Sequence, residues 1–290
     1  MQLDIFENSR DVMLRNDVAH AIEQRDAATA RAAWETLAKE YPQDERLPAL
    51  RVLTEAVAGR SQTVFRDHEA LRHARLTLQD EVQPAALRTF GDKDAAAWLR
   101  LSWKELAQRA APLAFRAEHG EDHAAPLWLR AGDCKAAADA VAAIESWRRI
   151  PTPLAWMVQA RLQLFGLQAT WGMLAELAWL SPRRLEELMQ CCNDPSLPQL
   201  SAKFELRFEG AGDASDLAWF PAWVLTERPG LAAALALAQP SQHRAPEKAM
   251  RVLIELLGLE RQGRHHDVVQ RRKVLRDIHS SLYVAYMSTR

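Results

Sequence analysis

Apolar positions recur at helical intervals along most of the chain. Met13, Leu14, Val18, Ala21 and Ile22 follow one another in short steps that gather on one helical face. Asn8 is placed to cap this helix, with Asp11 three residues on, so a helix is predicted from Asn8 to about Gln24. Arg25-Asp26 makes a turn. A second helix over 27–41 turns Ala30, Ala33, Trp34, Leu37 and Tyr41 inward, and Pro42 ends it. A third covers 47–58 and stops at Gly59, another reaches about Leu78, and Pro84 opens a further segment. Trp98, Leu101, Trp103 and Leu106 mark a helix between Lys93 and Ala110. Later helices are predicted over 126–131, 134–147, 153–165, 168–180, 182–192, 221–225, 231–238, 246–257, 266–279 and 282–287. Alternating strand patterns between tight turns are missing, so the expected class is all-α.

The breaks between helices carry a period. Gly132 and Gly166 are 34 residues apart, as are Arg25 and Gly59. A fixed period of that size points to helix pairs stacked as a solenoid, each burying its apolar face on the next. The register weakens around Gly91 and Gly120, so the middle is expected to be irregular. Residues 193–220 contain Asp-Pro, Leu-Pro, Gly210 and Gly212 and read as a loop-rich connection. The expected organisation is an N-terminal peptide over 1–8, a helical-repeat region over 9–192, that connection, and a C-terminal helical region over 221–290.

Composition changes this picture little. A chain of 290 residues with 11 glycines and frequent Ala, Leu, Glu and Arg suits helices and can bury a sizeable core. The net charge of −1 makes no case for nucleic acid over the whole chain. Residues 244–290 differ, with ten Lys/Arg against five Asp/Glu. Cys134, Cys191 and Cys192 form no disulfide framework and are expected as reduced thiols. The start, Met1-Gln2-Leu3-Asp4, is unlike a secretory signal, and no apolar run approaches the ~20 residues that cross a bilayer. A cytoplasmic location without membrane partners is expected.

The helix pairs resemble the tetratricopeptide repeat. That family places a small residue or glycine at the turn, a small residue about five positions on, bulky residues near nine and twelve, and proline near seventeen. From Arg25 the matching positions are Ala30, Trp34, Leu37 and Pro42; from Gly132 they are Ala137, Val141, Ile144 and a late Pro151. From Gly166 they are Trp171, Ala175, Ala178 and Pro182, the first departing from the pattern. Gly263 gives Val268 and Leu275, with Arg272 at a bulky position and no proline, and Gly59 keeps the spacing alone. The resemblance covers 10–60 and 125–190 best. It implies a protein-interaction scaffold.

Gln2-Leu3-Asp4-Ile5-Phe6 resembles the peptide by which bacterial replication and repair proteins dock on the DNA polymerase sliding clamp, with Ile5 the one, conservative, departure. The resemblance implies that Leu3, Ile5 and Phe6 fill an apolar pocket while Gln2 hydrogen-bonds at its rim, Asp4 being the remaining residue of the partner-binding peptide. The same Leu3 and Phe6, three apart, would equally seal the first helix pair.

Other candidate chemistry is sparser. Arg264, Arg271, Arg272, Lys273 and Arg276 form a possible patch for an anionic partner or nucleic acid, but Val268, Val269, Leu275 and Ile278 give the same segment a core face. His265 follows the Gly263 turn where these repeats hold an aromatic packing residue. His119 and His123 have a ligand-like spacing but a glycine between them and no third ligand, so no metal is expected. Seven of the ten tryptophans lie between Trp128 and Trp223. Trp128, Trp147, Trp156, Trp171 and Trp179 are spaced for interhelical packing, with a peptide-binding groove as the other reading. No phosphate loop, dinucleotide motif, nucleophile elbow or zinc-protease motif is present. The expectation is a non-catalytic scaffold without cofactor; a nucleic-acid-associated protein using the basic C-terminal helix is the alternative.

Overall fold

The computed structural model describes residues 2–191, 194–241 and 244–290, with side chains from residue 10 onward. These residues form helices and connecting turns without a strand. They divide into two compact units, Met1–Asp133 and Cys134–Arg290.

The first unit begins with α1 (Gln2–Glu23), α2 (Ala27–Glu40) and α3 (Leu47–Ala58), each packed on the next. Between α1 and α2 the chain reverses in three residues. The Arg25 N–H donates to the Ile22 carbonyl at 3.0 Å and the Asp26 N–H to the Ala21 carbonyl at 3.0 Å. That bond pair closes a helix end and requires a left-handed residue between; Arg25 supplies it with φ 57°. Asp26 then caps α2, its carboxylate accepting the N–H groups of Ala28 and Thr29, both at 3.1 Å. Val18, Ile22, Leu37, Leu50 and Leu53 are buried between the three helices, each such side chain stabilising by roughly 1.5–3 kcal/mol.

α4 (His68–Thr77) runs through a π-helical turn, Leu78–Val82, into α5 (Gln83–Ala110). The Gln83 N–H reaches back five residues to the Leu78 carbonyl. Pro84 explains the widened turn: it has no N–H to give and its ring crowds the preceding turn. Gly91, with φ 74°, kinks α5. Trp98, Trp103 and Leu106 are buried on its second half, and α6 (Ala124–Ala131) packs against it. The segment ahead of α6 is tied to α4. Arg75 Nε donates to Asp122 Oδ1 at 2.8 Å, His68 Nε2 lies 2.8 Å from the Ala114 carbonyl oxygen, and His68 stacks on His119 at 5.0 Å.

The second unit holds α7 (Cys134–Ala142), α8 (Pro151–Phe165), α9 (Trp171–Leu180), α10 (Pro182–Gln190), α11 (Ser196–Arg207), α12 (Phe220–Glu227), α13 (Ala232–Leu235), α14 (Ala245–Arg261), α15 (His265–Ile278) and α16 (Ser280–Met287). α7 packs on α8, α8 on α9 past Gly166, and α14 on α15 past Gly263. One core runs through Leu154, Trp171, Phe220, Trp223, Leu253 and Tyr286. Gly172 lets α9 approach the chain after α13: a Cβ there would stand 3.0 Å from the Ala238 nitrogen. Buried Glu176 takes both Arg148 donors at 2.5 and 2.7 Å and the Gln239 N–H at 2.7 Å.

Several local expectations shift. α1 starts at Gln2, so Asn8 lies within it rather than capping it. Met13 is exposed, as is Leu101 on α5. The helix expected over 134–147 ends at Ala142, and a 3-10 turn follows at Trp147–Arg149. The 193–220 stretch is not mainly loop: Leu197, Leu200 and Phe204 share a buried face, so α11 forms between its punctuating Pro and Gly residues. The pair expected about Gly132 would join α6 to α7, and the unit boundary falls just after that glycine.

Candidate functional site

Three helix ends close with the same bond pair around a left-handed residue. Gly132 and Gly263 occupy that position with φ 77° and 69°, and Arg25 occupies it in the first. A side chain there costs on the order of 1–2 kcal/mol that glycine avoids. The contacts of the arginine side chain offset that backbone cost. It folds inward until only 10% of it is exposed. Its guanidinium lies 4.6 Å from the centre of the Trp98 ring, and Nη2 donates to the Trp98 carbonyl at 2.6 Å and Ser102 Oγ at 3.1 Å. Nε is buried and has no acceptor among the described residues. The nearest carboxylate oxygen paired with it is that of Glu105, at 3.8 Å from Nη1. Burial lowers the Arg25 pKa from its ordinary value, and Glu105 offsets this only in part.

Arg25 forms part of a cleft in the first unit. Arg60, after α3, reaches the same Glu105 with both arms of its guanidinium, Nε at 3.1 Å from Oε2 and Nη2 closer to Oε1. Arg109 on α5 donates to the Thr63 carbonyl at 2.8 Å, and its guanidinium lies 4.1 Å from the Phe65 ring centre. Burial lowers its pKa as well. Three guanidiniums thus border one carboxylate at the mouth, a cavity of about 670 Å³ that Ser61, Gln62 and Gln108 also line. A second cavity of about 340 Å³ shares Arg25, Arg60, Glu105 and Arg109 with it and adds Val52, Ala56, Leu78, Val82, Trp98 and Leu106 to its walls. Leu78 and Val82 come from the π turn, a rare element that recurs at functional sites. Glu55, Glu81 and Glu105 balance the three guanidiniums around this second cavity, so the surplus positive charge belongs to the first. The donors around the cleft are guanidinium, hydroxyl and amide groups, which suit an anion, and the second cavity sets apolar side chains beside its carboxylates.

The residues singled out in the sequence fall elsewhere. The backbone of Gln2, Leu3, Asp4, Ile5 and Phe6 is the first turn and a half of α1, and their side chains lie outside the described ones. Seven residues after Ile5 and Phe6, Val12 and Met13 are 45% and 63% exposed. The basic C-terminal residues are paired locally. Arg264 meets Asp267 at 2.5 Å, Arg271 meets Glu255 at 2.8 Å, Arg272 meets Glu260 at 3.2 Å, and Arg276 lies 3.8 Å from Asp277. Lys273 alone of the five has no carboxylate within 4 Å among the described residues. Arg272 also bonds the Tyr286 hydroxyl, which donates to Glu260.

His265 is exposed rather than packed. His119 stacks on His68, and His123 Nδ1 accepts the Ala125 N–H at 3.2 Å as the cap of α6. Among the described residues no three His, Cys, Asp or Glu side chains are grouped for a metal. Cys191 is exposed, Cys134 half-buried, and Cys192 lies outside the described residues. Trp156, Trp171, Trp179 and Trp223 are buried, while Trp128 and Trp147 are half-buried. No described helix is long and apolar enough to cross a membrane.

The sequence places Arg25 at a turn and does not register its burial in the cleft. The available signal was an arginine at the position that Gly132 and Gly263 fill with glycine. Its partners Arg60, Trp98, Glu105 and Arg109 come from distant segments and carry no spacing motif. Comparison with family models, curated proteins and solved structures gives no match.

Proposed function

We propose that this chain is a non-catalytic protein-interaction scaffold, built of helix pairs on the tetratricopeptide plan, that docks on a partner with the start of α1. The partner named by the sequence resemblance is the DNA polymerase sliding clamp, and the setting is the cytoplasm. The supporting observation is the pair Val12 and Met13, large apolar side chains standing in solvent one heptad after Ile5 and Phe6 on the same helix. Apolar groups held in water on a helix favour a partner's apolar pocket. Nucleic-acid binding by the C-terminal helix is the weaker reading, because Glu255, Glu260 and Asp267 already hold the cations that phosphate would need.

The test is retention of the full-length protein on immobilised clamp. Wild type is retained, the Leu3→Ala/Phe6→Ala double variant is lost, and Met13→Asp is weakened with its helical content unchanged. Equal retention of wild type and the double variant would refute docking through this peptide.

A further inference from the structure

The cleft beside Arg25 has features that the docking reading does not use. A buried guanidinium is stable when carboxylates or other acceptors surround it, and costly when they do not. Arg25 is nine-tenths buried, shares its carboxylate with Arg60, and leaves Nε without an acceptor among the described residues. Arg109, partly buried, spends Nε on a backbone carbonyl. The left-handed backbone at Arg25 adds a further cost. All of these costs fall at one cavity, where three guanidiniums and Glu105 leave two net positive charges, Glu55 and Glu81 bordering the adjoining one. An arriving anion would offset that charge and give the exposed Arg60 guanidinium a second acceptor.

The adjoining cavity adds a second requirement. Val52, Leu78, Val82 and Leu106 offer nothing to a bare ion such as inorganic phosphate, but they would desolvate a small apolar body. The cavity volumes lie in the range of small-molecule pockets, about 300–1,000 Å³. We propose that the cleft bordered by Arg25, Arg60 and Arg109 binds a small organic anion, its charged head among the three guanidiniums and its compact apolar body against Val52, Val82 and Trp98. The head carries a carboxylate or phosphate group. The doubly charged form binds the tighter, because two net charges await it.

Isothermal titration of the full-length protein with four probes tests this. Phenyl phosphate and benzoate carry both head and body; inorganic phosphate is the head alone and benzyl alcohol the body alone. The two organic anions are expected to bind about tenfold or more tighter than either fragment, with phenyl phosphate ahead of benzoate. Arg60→Gln removes one charged donor from a side chain 43% exposed, so the fold is kept and both organic anions weaken by about tenfold or more. Val52→Phe fills the adjoining cavity without altering charge, and phenyl phosphate then falls to the affinity of inorganic phosphate. Benzyl alcohol binding as tightly as the anions would overturn the proposal, as would inorganic phosphate matching phenyl phosphate. Failure of all four probes to bind the folded wild type would also overturn it. None of these outcomes depends on clamp retention, so this site and the docking surface stand or fall separately.

Discussion

Asp122→Ala is expected to destabilise the first unit more than any surface change. Asp122 and Arg75 are only 6% and 11% exposed at their side chains, and their bond is 2.8 Å long. The pair joins α4 to the segment preceding α6, 47 residues away. Removing the carboxylate leaves Arg75 buried with Gln79 as its remaining bonded neighbour, at 3.5 Å. Breaking a buried pair from one side costs about 3–5 kcal/mol, because the surviving charge is uncompensated. For a unit of this size each kcal/mol lowers the midpoint by roughly 3–5 °C, so a fall of about 9–25 °C is expected. Replacing both partners with apolar residues, Arg75→Met with Asp122→Leu, removes the stranded charge and should recover most of the loss. The assay is thermal unfolding followed by circular dichroism for wild type, single variant and double variant. A fall under about 3 °C for Asp122→Ala, or a double variant less stable than the single, would refute the argument. The same pair anchors the helix that continues into the π turn, so Asp122→Ala should also loosen the wall of the cleft.

Three further outcomes follow from particular contacts. His123 is buried, which together with the nearby His68 charge pushes its pKa from 6.5 down to about 4. The unfolded chain therefore takes up this proton first. Its stabilisation is full above about pH 6.5 and is lost as pH falls toward 4, up to about 3 kcal/mol. His123→Asn keeps a cap without the titration, and denaturant midpoints at pH 7 and pH 5 should converge for it; an unchanged pH dependence would count against this cause. Phe204 is buried against Phe208, Phe220 and Trp223, with ring centres 4.6–5.5 Å away; Phe204→Ala should cost about 3–5 kcal/mol in urea unfolding, and a loss under ~1 kcal/mol would contradict the packing. Because only Lys273 of the five C-terminal cations lacks a nearby carboxylate among the described residues, DNA binding by the full chain should show a log K against log salt slope no steeper than about −1; a slope near −4 would show the arginines free to meet phosphate.

The all-helical class was legible because it rests on local signals. Three- and four-residue spacing, Pro stops and positive-φ glycines act over a few residues; Gly132 and Gly166 each end a helix where expected, while α14 runs past the expected 257 to Arg261 before the Gly263 turn. Boundaries were less legible. The π turn arises from competition between the Pro84 ring and the helix before it, which periodicity does not register. α11 was hidden by flanking proline and glycine although Leu197, Leu200 and Phe204 carried its face. Met13 fits an apolar helical pattern and yet faces water, because pattern alone does not say how wide the buried stripe is. The cleft was the least legible feature. It needs Arg25, Arg60 and Arg109 to meet across 84 residues of sequence, and only the wrong residue type at a left-handed turn pointed to it.

Docking through the start of α1 is tested most directly by amide hydrogen exchange on the full-length protein with and without saturating clamp. The account predicts added protection concentrated in residues 2–13, absent when Leu3→Ala/Phe6→Ala replaces wild type. Clamp-dependent protection elsewhere with residues 2–13 unchanged, or no protection anywhere, would contradict it.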